Sequence, residues 1–146
     1  MNFIKEFFER ITDLGSLVAM GVVGLFFLLT SFDIFIRLFL TIAISFGIIA
    51  TIRVNYYKHR PFKKKKPKNV LGIVAESSFP SMHSSNVFGF AFSVGLSTNY
   101  KLFIFFVFIA LLVVFSRWYL RKHYPVDLIA GSILGALVGF AVYLIT

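Results

Sequence analysis

Apolar runs of membrane length constrain this chain more than any other feature. Residues 34–52 and 126–145 are built largely from Ile, Leu, Val, Phe, Ala and Gly. Each is close to the roughly 20 residues a helix needs to cross a bilayer core. A soluble domain is typically about half apolar, whereas 58% of these 146 residues are hydrophobic and 20 are Phe. Backbone N–H and C=O groups inside lipid must pair within the protein, which favours helices. Runs at 14–32, 34–52, 83–98, 101–116 and 126–145 therefore predict one domain. It is an all-α integral membrane helical bundle of about five transmembrane helices. The run at 83–98 is marginal in length and polar at its start, so the others are expected to enclose it.

Residues 2–12 behave differently. Phe3, Ile4, Phe7, Phe8 and Ile11 recur at three- and four-residue spacing, opposite Lys5, Glu6, Glu9 and Arg10. This predicts an N-terminal amphipathic helix lying in the membrane interface, too short to span and retained rather than cleaved. Residues 53–80 form the one long polar segment and read as a loop. Gly131, Gly135 and Gly139, four apart, give the last span a smooth face for close helix contact within the chain.

The formal net charge is +9 and there is no cysteine, which excludes disulfides and thiolate metal sites. In a membrane protein such a balance points to anionic lipid rather than nucleic acid. Lys63, Lys64, Lys65 and Lys66 read as a topology determinant and as a candidate contact for anionic headgroups. With five spans, the N-terminal helix, the 53–80 loop and the connection before residue 125 share one side. That side holds 13 of the 15 Lys and Arg residues, which by the positive-inside rule is cytoplasmic.

Three polar clusters fall at span ends on that same side: Arg53-x6-Arg60-Pro61, Pro80-Ser81-Met82-His83, and Ser116-Arg117-x5-His123-x3-Asp127. Ionisable groups beside membrane segments are costly and mark functional sites. Three guanidinium groups without matching acids want an oxyanion, and their fork suits phosphate oxygens. Free N–H groups at the helix start near Ser81, Met82 and His83 can bind the same anion. Pro125 suits the first position of the last helix, which puts Asp127 in its first turn. A carboxylate there can hold the His123 imidazole N–H and leave the other nitrogen free to attack. His83 is then the acid that protonates the leaving oxygen. No carboxylate cluster suggests a metal, and no cofactor is expected.

These clusters resemble the signature of the type-2 phosphatidic acid phosphatase superfamily, whose members include membrane lipid phosphatases and soluble vanadium-dependent haloperoxidases. The pattern is K-x6-R-P, P-S-G-H and S-R-x5-H-x3-D. The third part matches fully; Met82 replaces glycine in the second and Arg53 replaces lysine in the first. The resemblance implies His123 as a nucleophile forming a phosphohistidine, Asp127 as its orienting partner and His83 as acid. It implies phosphate binding by Arg53, Arg60, Ser81, Met82 (through its backbone) and Arg117. It also implies six spans where five are read, and an outer-side site where the charge count gives a cytoplasmic one.

The function expected on these grounds is metal-independent removal of phosphate from a membrane lipid phosphate or diphosphate. A polyprenyl diphosphate or phosphate is the first candidate, ahead of phosphatidate and phosphatidylglycerol phosphate. The rival readings are a lipid phosphotransferase using the same intermediate and a non-enzymatic protein that binds anionic lipid.

Overall fold

A computed structural model describes residues 3–62 and 65–146 of the chain. Seven α-helices follow in order: α1 Phe3–Asp13, α2 Leu17–Thr30, α3 Phe32–Asn55, α4 Val70–Glu76, α5 Met82–Phe90, α6 Tyr100–Tyr119 and α7 Pro125–Ile145. A π-helical turn, Ala91–Gly95, extends α5. The protein is an all-helical membrane bundle. Lys63 and Lys64 of the expected headgroup patch lie outside the described residues.

Among the described residues, α3, α6 and α7 are each long and apolar enough to cross a membrane. The pair α1 and α2 reaches that length together, with a 51° bend between them. The bend has a local cause: Ser16 caps α2 by accepting the Ala19 N–H at 3.1 Å, so a fresh helix starts there. The run expected at 14–32 thus contributes only 14 residues of helix. The run at 83–98 is shorter still in regular helix, 9 residues before the π turn. There the Ser93 hydroxyl donates to the Gly89 carbonyl and the Ser97 hydroxyl to that of Ser93. Such bonds compete with the helical ladder and perturb it. The segment read as a loop from 53 to 80 is partly helical too. α3 continues to Asn55, and α4 forms behind an N-cap in which Asn69 Oδ1 accepts the Gly72 N–H at 3.1 Å.

α5 is the enclosed element, packed by α7, α6 and α3. Its contact with α7 is built from small residues. A Cβ added to Gly131, Gly135 or Gly139 would lie 2.3, 2.1 or 2.5 Å from the carbonyl oxygens of Ser81, Ser85 and Gly89. The glycine face of α7 therefore meets a matching face on α5, spaced by four like itself, and the backbones touch. Met20, Leu38, Val87, Val94, Ala110 and Val113 fill the apolar core beside them. The large apolar side chains that point outward, such as Leu29, Phe108 and Ile129, suit a lipid surround.

The apolar face of α1 divides. Phe8 packs on Phe115 and Tyr119 of α6, with ring centres 5.5 and 4.7 Å away. Phe3, Ile4 and Phe7 face outward. Thr12 at the helix end is buried and, as shown next, reaches the site.

Candidate active site

The three polar clusters converge where α3, α6, α5 and α7 begin or end. α6 stops after Tyr119 in a left-handed turn. The Lys122 N–H bonds the Arg117 carbonyl at 2.9 Å and the Arg121 N–H bonds the Trp118 carbonyl at 2.9 Å. This pairing is a Schellman motif, with Arg121 at φ 53° in the place glycine usually takes. The turn reverses the chain and drives His123 inward, where it is buried. Tyr124 then caps α7, Pro125 is its first residue, and Asp127 lies in its first turn.

The imidazole is held from both sides. Arg117 Nη2 lies 3.3 Å from His123 Nε2, and the Ser78 carbonyl oxygen lies 2.9 Å from Nδ1. A guanidinium has only donors, so Nε2 accepts and Nδ1 carries the proton that it donates to Ser78. That tautomer leaves the Nε2 lone pair directed at a cation, the position a phosphoryl group would take. Burial is the largest influence on the ring and lowers its pKa; Asp127 opposes this, and Arg117, Arg60 and Arg53 reinforce it. Together they push His123 down to about 4. The ring is therefore neutral near pH 7, as a nucleophile must be.

Asp127 does not touch the imidazole directly. Its Oδ2 accepts the Ser78 hydroxyl at 2.5 Å and the Tyr124 N–H at 3.1 Å. Its Oδ1 pairs with Lys58 Nζ at 2.6 Å. The link from Asp127 to His123 that the spacing suggests thus runs through Ser78.

Carbonyls place Arg53 and Arg60, and a hydroxyl places Arg117. α4 is short, and its last carbonyls lack helical partners. Arg53 Nη1 donates to the Val74 carbonyl at 2.5 Å and Arg60 Nη2 to that of Ala75 at 3.0 Å. Arg53 Nη2 also donates to the Pro80 carbonyl at 2.6 Å, and Arg117 Nη1 to Thr12 Oγ1 at 3.3 Å. Each guanidinium keeps one buried donor, Nε–H, that no described residue accepts. Burial also lowers the pKa of Arg60, with Glu76 opposing; the arginine stays charged. These are cations held ready for an anion.

Arg53, Arg60, Met82, His83 and His123 line one cavity of about 420 Å³. Its other walls are apolar, among them Leu17, Phe46 and Leu71. Arg117 is outside that lining and meets the cavity through His123 Nε2. Met82 and His83 are the first residues of α5, so their N–H groups are among those a helix start leaves without intrahelical partners. Ser81 is outside the cavity lining. Its side chain caps α5, accepting from the Ser84 N–H at 3.4 Å and hydroxyl at 3.0 Å. Its own N–H bonds the Asp127 carbonyl at 2.9 Å. No group of three or more His, Cys, Asp or Glu side chains converges among the described residues.

A profile of the PAP2 superfamily matches residues 36–146. The chain belongs to the PAP2 superfamily. Among its curated relatives are a lipid A 4'-phosphatase of Bacteroides thetaiotaomicron, 44% identical over 46% of this chain and 30% of that protein. The undecaprenyl-diphosphatase BcrC of Bacillus subtilis is 30% identical over 61% of this chain and 46% of its own length. An undecaprenyl-diphosphatase of Sulfolobus acidocaldarius is 33% identical over 69% of this chain and 52% of its own. The matched regions thus span about half or less of these relatives. The crystal structure of Aquifex aeolicus LpxE superposes with a TM-score of 0.81 over 97% of this chain and 86% of that one, at 18% identity. The likeness in fold takes in α1 and α2, which the profile does not reach.

Besides Thr12 on α1, two side chains that reach the site are not signature positions, Lys58 and Ser78. Lys58 occupies the variable gap of the first motif, two positions before Arg60, and Ser78 lies two positions before Pro80. A polar side chain in or beside a motif, in a stretch without periodicity, was the one available signal, and it does not separate them from Tyr57, His59 or Ser77.

Proposed function

We propose that this chain is a membrane lipid phosphatase that works through a phosphohistidine on His123. One observation carries the reading. Three guanidinium groups, each with a buried Nε–H that no described residue accepts, surround a neutral imidazole at a cavity whose described lining has no carboxylate. An oxyanion with several acceptor oxygens fits that need, and phosphoryl transfer is catalysed mainly by positioning and charge stabilisation.

In this reading the phosphoryl group sits among Arg53, Arg60 and Arg117 and the N–H groups of Met82 and His83. Arg117 turns from His123 Nε2 to a phosphoryl oxygen. The Nε2 lone pair then forms a bond to phosphorus as the bond to the lipid oxygen breaks, and His83 protonates that oxygen. Water releases phosphate in the second half-reaction. Ser81 supports the site as the cap of α5.

The lipid tail has a path. Leu17 lines both the phosphate cavity and an apolar groove of about 350 Å³ between α2 and α3. The groove runs along α2 past Gly21 and Gly24 to Leu28, about 16 Å at 1.5 Å per residue. A polyprenyl diphosphate is the first candidate substrate, since two of the relatives named above are undecaprenyl-diphosphatases.

The test is phosphate release by purified protein in detergent, with chelator present, on a panel of lipid phosphates and diphosphates. Release that disappears in His123→Ala supports the reading, and full release in that variant refutes it. Transfer to an added lipid alcohol in place of release would favour the phosphotransferase.

A further inference from the structure

The bond that the sequence suggests between His123 and Asp127 is replaced by a strap. The Ser78 N–H donates to the Lys58 carbonyl at 2.8 Å, and the Lys58 N–H donates to Ser77 Oγ at 3.2 Å. Two segments far apart in sequence are thereby fixed side by side. From this strap the Lys58 ammonium takes Asp127 Oδ1 at 2.6 Å, and the Ser78 hydroxyl takes Oδ2. The Ser78 carbonyl takes the His123 Nδ1 proton. The ammonium is further confined by the rings of Tyr124 and Phe79, 4.8 and 5.8 Å from their centres. It is outside the lining of the phosphate cavity, so it is not placed as a phosphate ligand. It engages a carboxylate that is wholly buried.

We propose that Lys58 is a positioning residue that holds Asp127 back from His123, and so sets the balance between loading phosphate onto His123 and releasing it. The proposal rests on the histidine-nucleophile reading above. When Nε2 attacks phosphorus, the ring gains a P–N bond while keeping its Nδ1 proton, and it becomes cationic. A carboxylate free to approach Nδ1 stabilises that cation. It favours loading but slows the second step, in which water attacks phosphorus and the P–N electron pair returns to Nε2. The Lys58 pair shares the Asp127 charge and keeps the carboxylate 3.9 Å from Nδ1, so the phosphohistidine does not become a trap.

The experiment compares parent, Lys58→Arg, Lys58→Met and Lys58→Gln proteins in detergent, with His123→Ala as control. Turnover of a phosphate-labelled lipid is quenched in base and acid-labile, base-stable label on the protein is counted. The expected result is that Met and Gln raise the steady-state phosphoenzyme fraction and lower kcat by about tenfold, the weight of one charge-assisted hydrogen bond. kcat/KM changes much less, and Arg restores parent behaviour. Gln keeps a polar group at the position should Met fail to fold. An equal phosphoenzyme fraction in parent, Met and Gln, whatever their kcat, overturns the Lys58 role alone. So does failure of Arg to restore the parent partition. Label absent from every protein during active turnover overturns the phosphohistidine reading and this proposal together.

Discussion

His123 Nδ1 and Asp127 Oδ2 stand 3.9 Å apart, beyond hydrogen-bond reach. Ser78 occupies the interval with both its hydroxyl and its carbonyl. The tautomer of the His123 imidazole is therefore held by a backbone group that no side-chain substitution removes. Where an aspartate alone fixes the tautomer, its replacement by asparagine costs about 10⁴ in kcat. Asp127→Asn is expected to cost about 10² here, and Ser78→Ala about tenfold, the worth of one hydrogen bond to a charged group. Steady-state kinetics gives both values. ¹⁵N NMR of the imidazole checks that Nδ1 keeps its proton in Ser78→Ala.

The same burial makes stability depend on pH. His123 is pushed from 6.5 down to about 4, burial being the largest cause. Between these values the unfolded chain binds a proton that the folded chain does not, so stability rises with pH through that window and this contribution is flat above it. The apparent Tm in detergent is expected to fall as pH drops from about 6.5 to about 4. His123→Gln should make that part of the curve shallower. A parent-like slope in His123→Gln would assign the effect to other groups.

The parts of this molecule that were legible in sequence are those with a period or a fixed spacing. The long apolar runs mark α3, α6 and α7, and the glycines four apart mark a close helix contact. The offsets among Arg117, His123 and Asp127 bring those three together. Contacts between segments without a repeat were not legible. The length of an apolar run does not reveal that Ser16 starts a new helix, or that serine hydroxyls perturb the end of α5. Lys58 and Ser78 meet only because residues 56–60 and 77–81 lie side by side, and neither stretch has a pattern that announces it. Ser81 is legible as a motif residue, while its hydrogen bonds as a helix cap emerge only from the fold.

Arg121 offers a test of the turn that carries His123. It holds φ 53° at the end of α6, a conformation that costs a residue with Cβ roughly 1–2 kcal/mol. Arg121→Gly removes that strain but adds about 0.4–1 kcal/mol of unfolded-chain entropy. A net gain of about 0.5 kcal/mol is expected, read as a small rise in Tm with kcat unchanged. A fall in Tm would mean that the arginine side chain contributes more than its backbone conformation costs.

Gly135 sits where α7 touches α5. An added Cβ would lie 2.1 Å from Ser85 O and 2.7 Å from Ser85 Cα, and backbone cannot step aside as a side chain can. Gly135→Ala gains up to about 1 kcal/mol of helix propensity. The helices must separate to admit the methyl, and overpacking of this kind costs about 1–3 kcal/mol. The clash wins, so Tm and yield are expected to fall. Since α5 carries His83 and α7 carries Asp127, activity should fall further than Tm alone predicts. Thermal melts and kcat on the same preparation check this.

Gly21 is the converse case. Nothing lies within 4 Å of a Cβ placed there, and the residue lines the groove that shares Leu17 with the cavity of Arg53, His83 and His123. Gly21→Ala is expected to leave Tm level or slightly raised, by up to about 1 kcal/mol of helix propensity. Gly21→Phe would fill part of the groove without touching Arg53, His83 or His123. On a long-chain polyprenyl diphosphate, kcat/KM should fall about tenfold, since losing the burial of one or two CH₂ groups at about 0.8 kcal/mol each is worth that much. On a short soluble phosphate ester, which needs no tail path, it should stay near the parent value. Equal losses on both substrates would place the tail elsewhere, because the substitution would then be acting on the phosphate cavity itself.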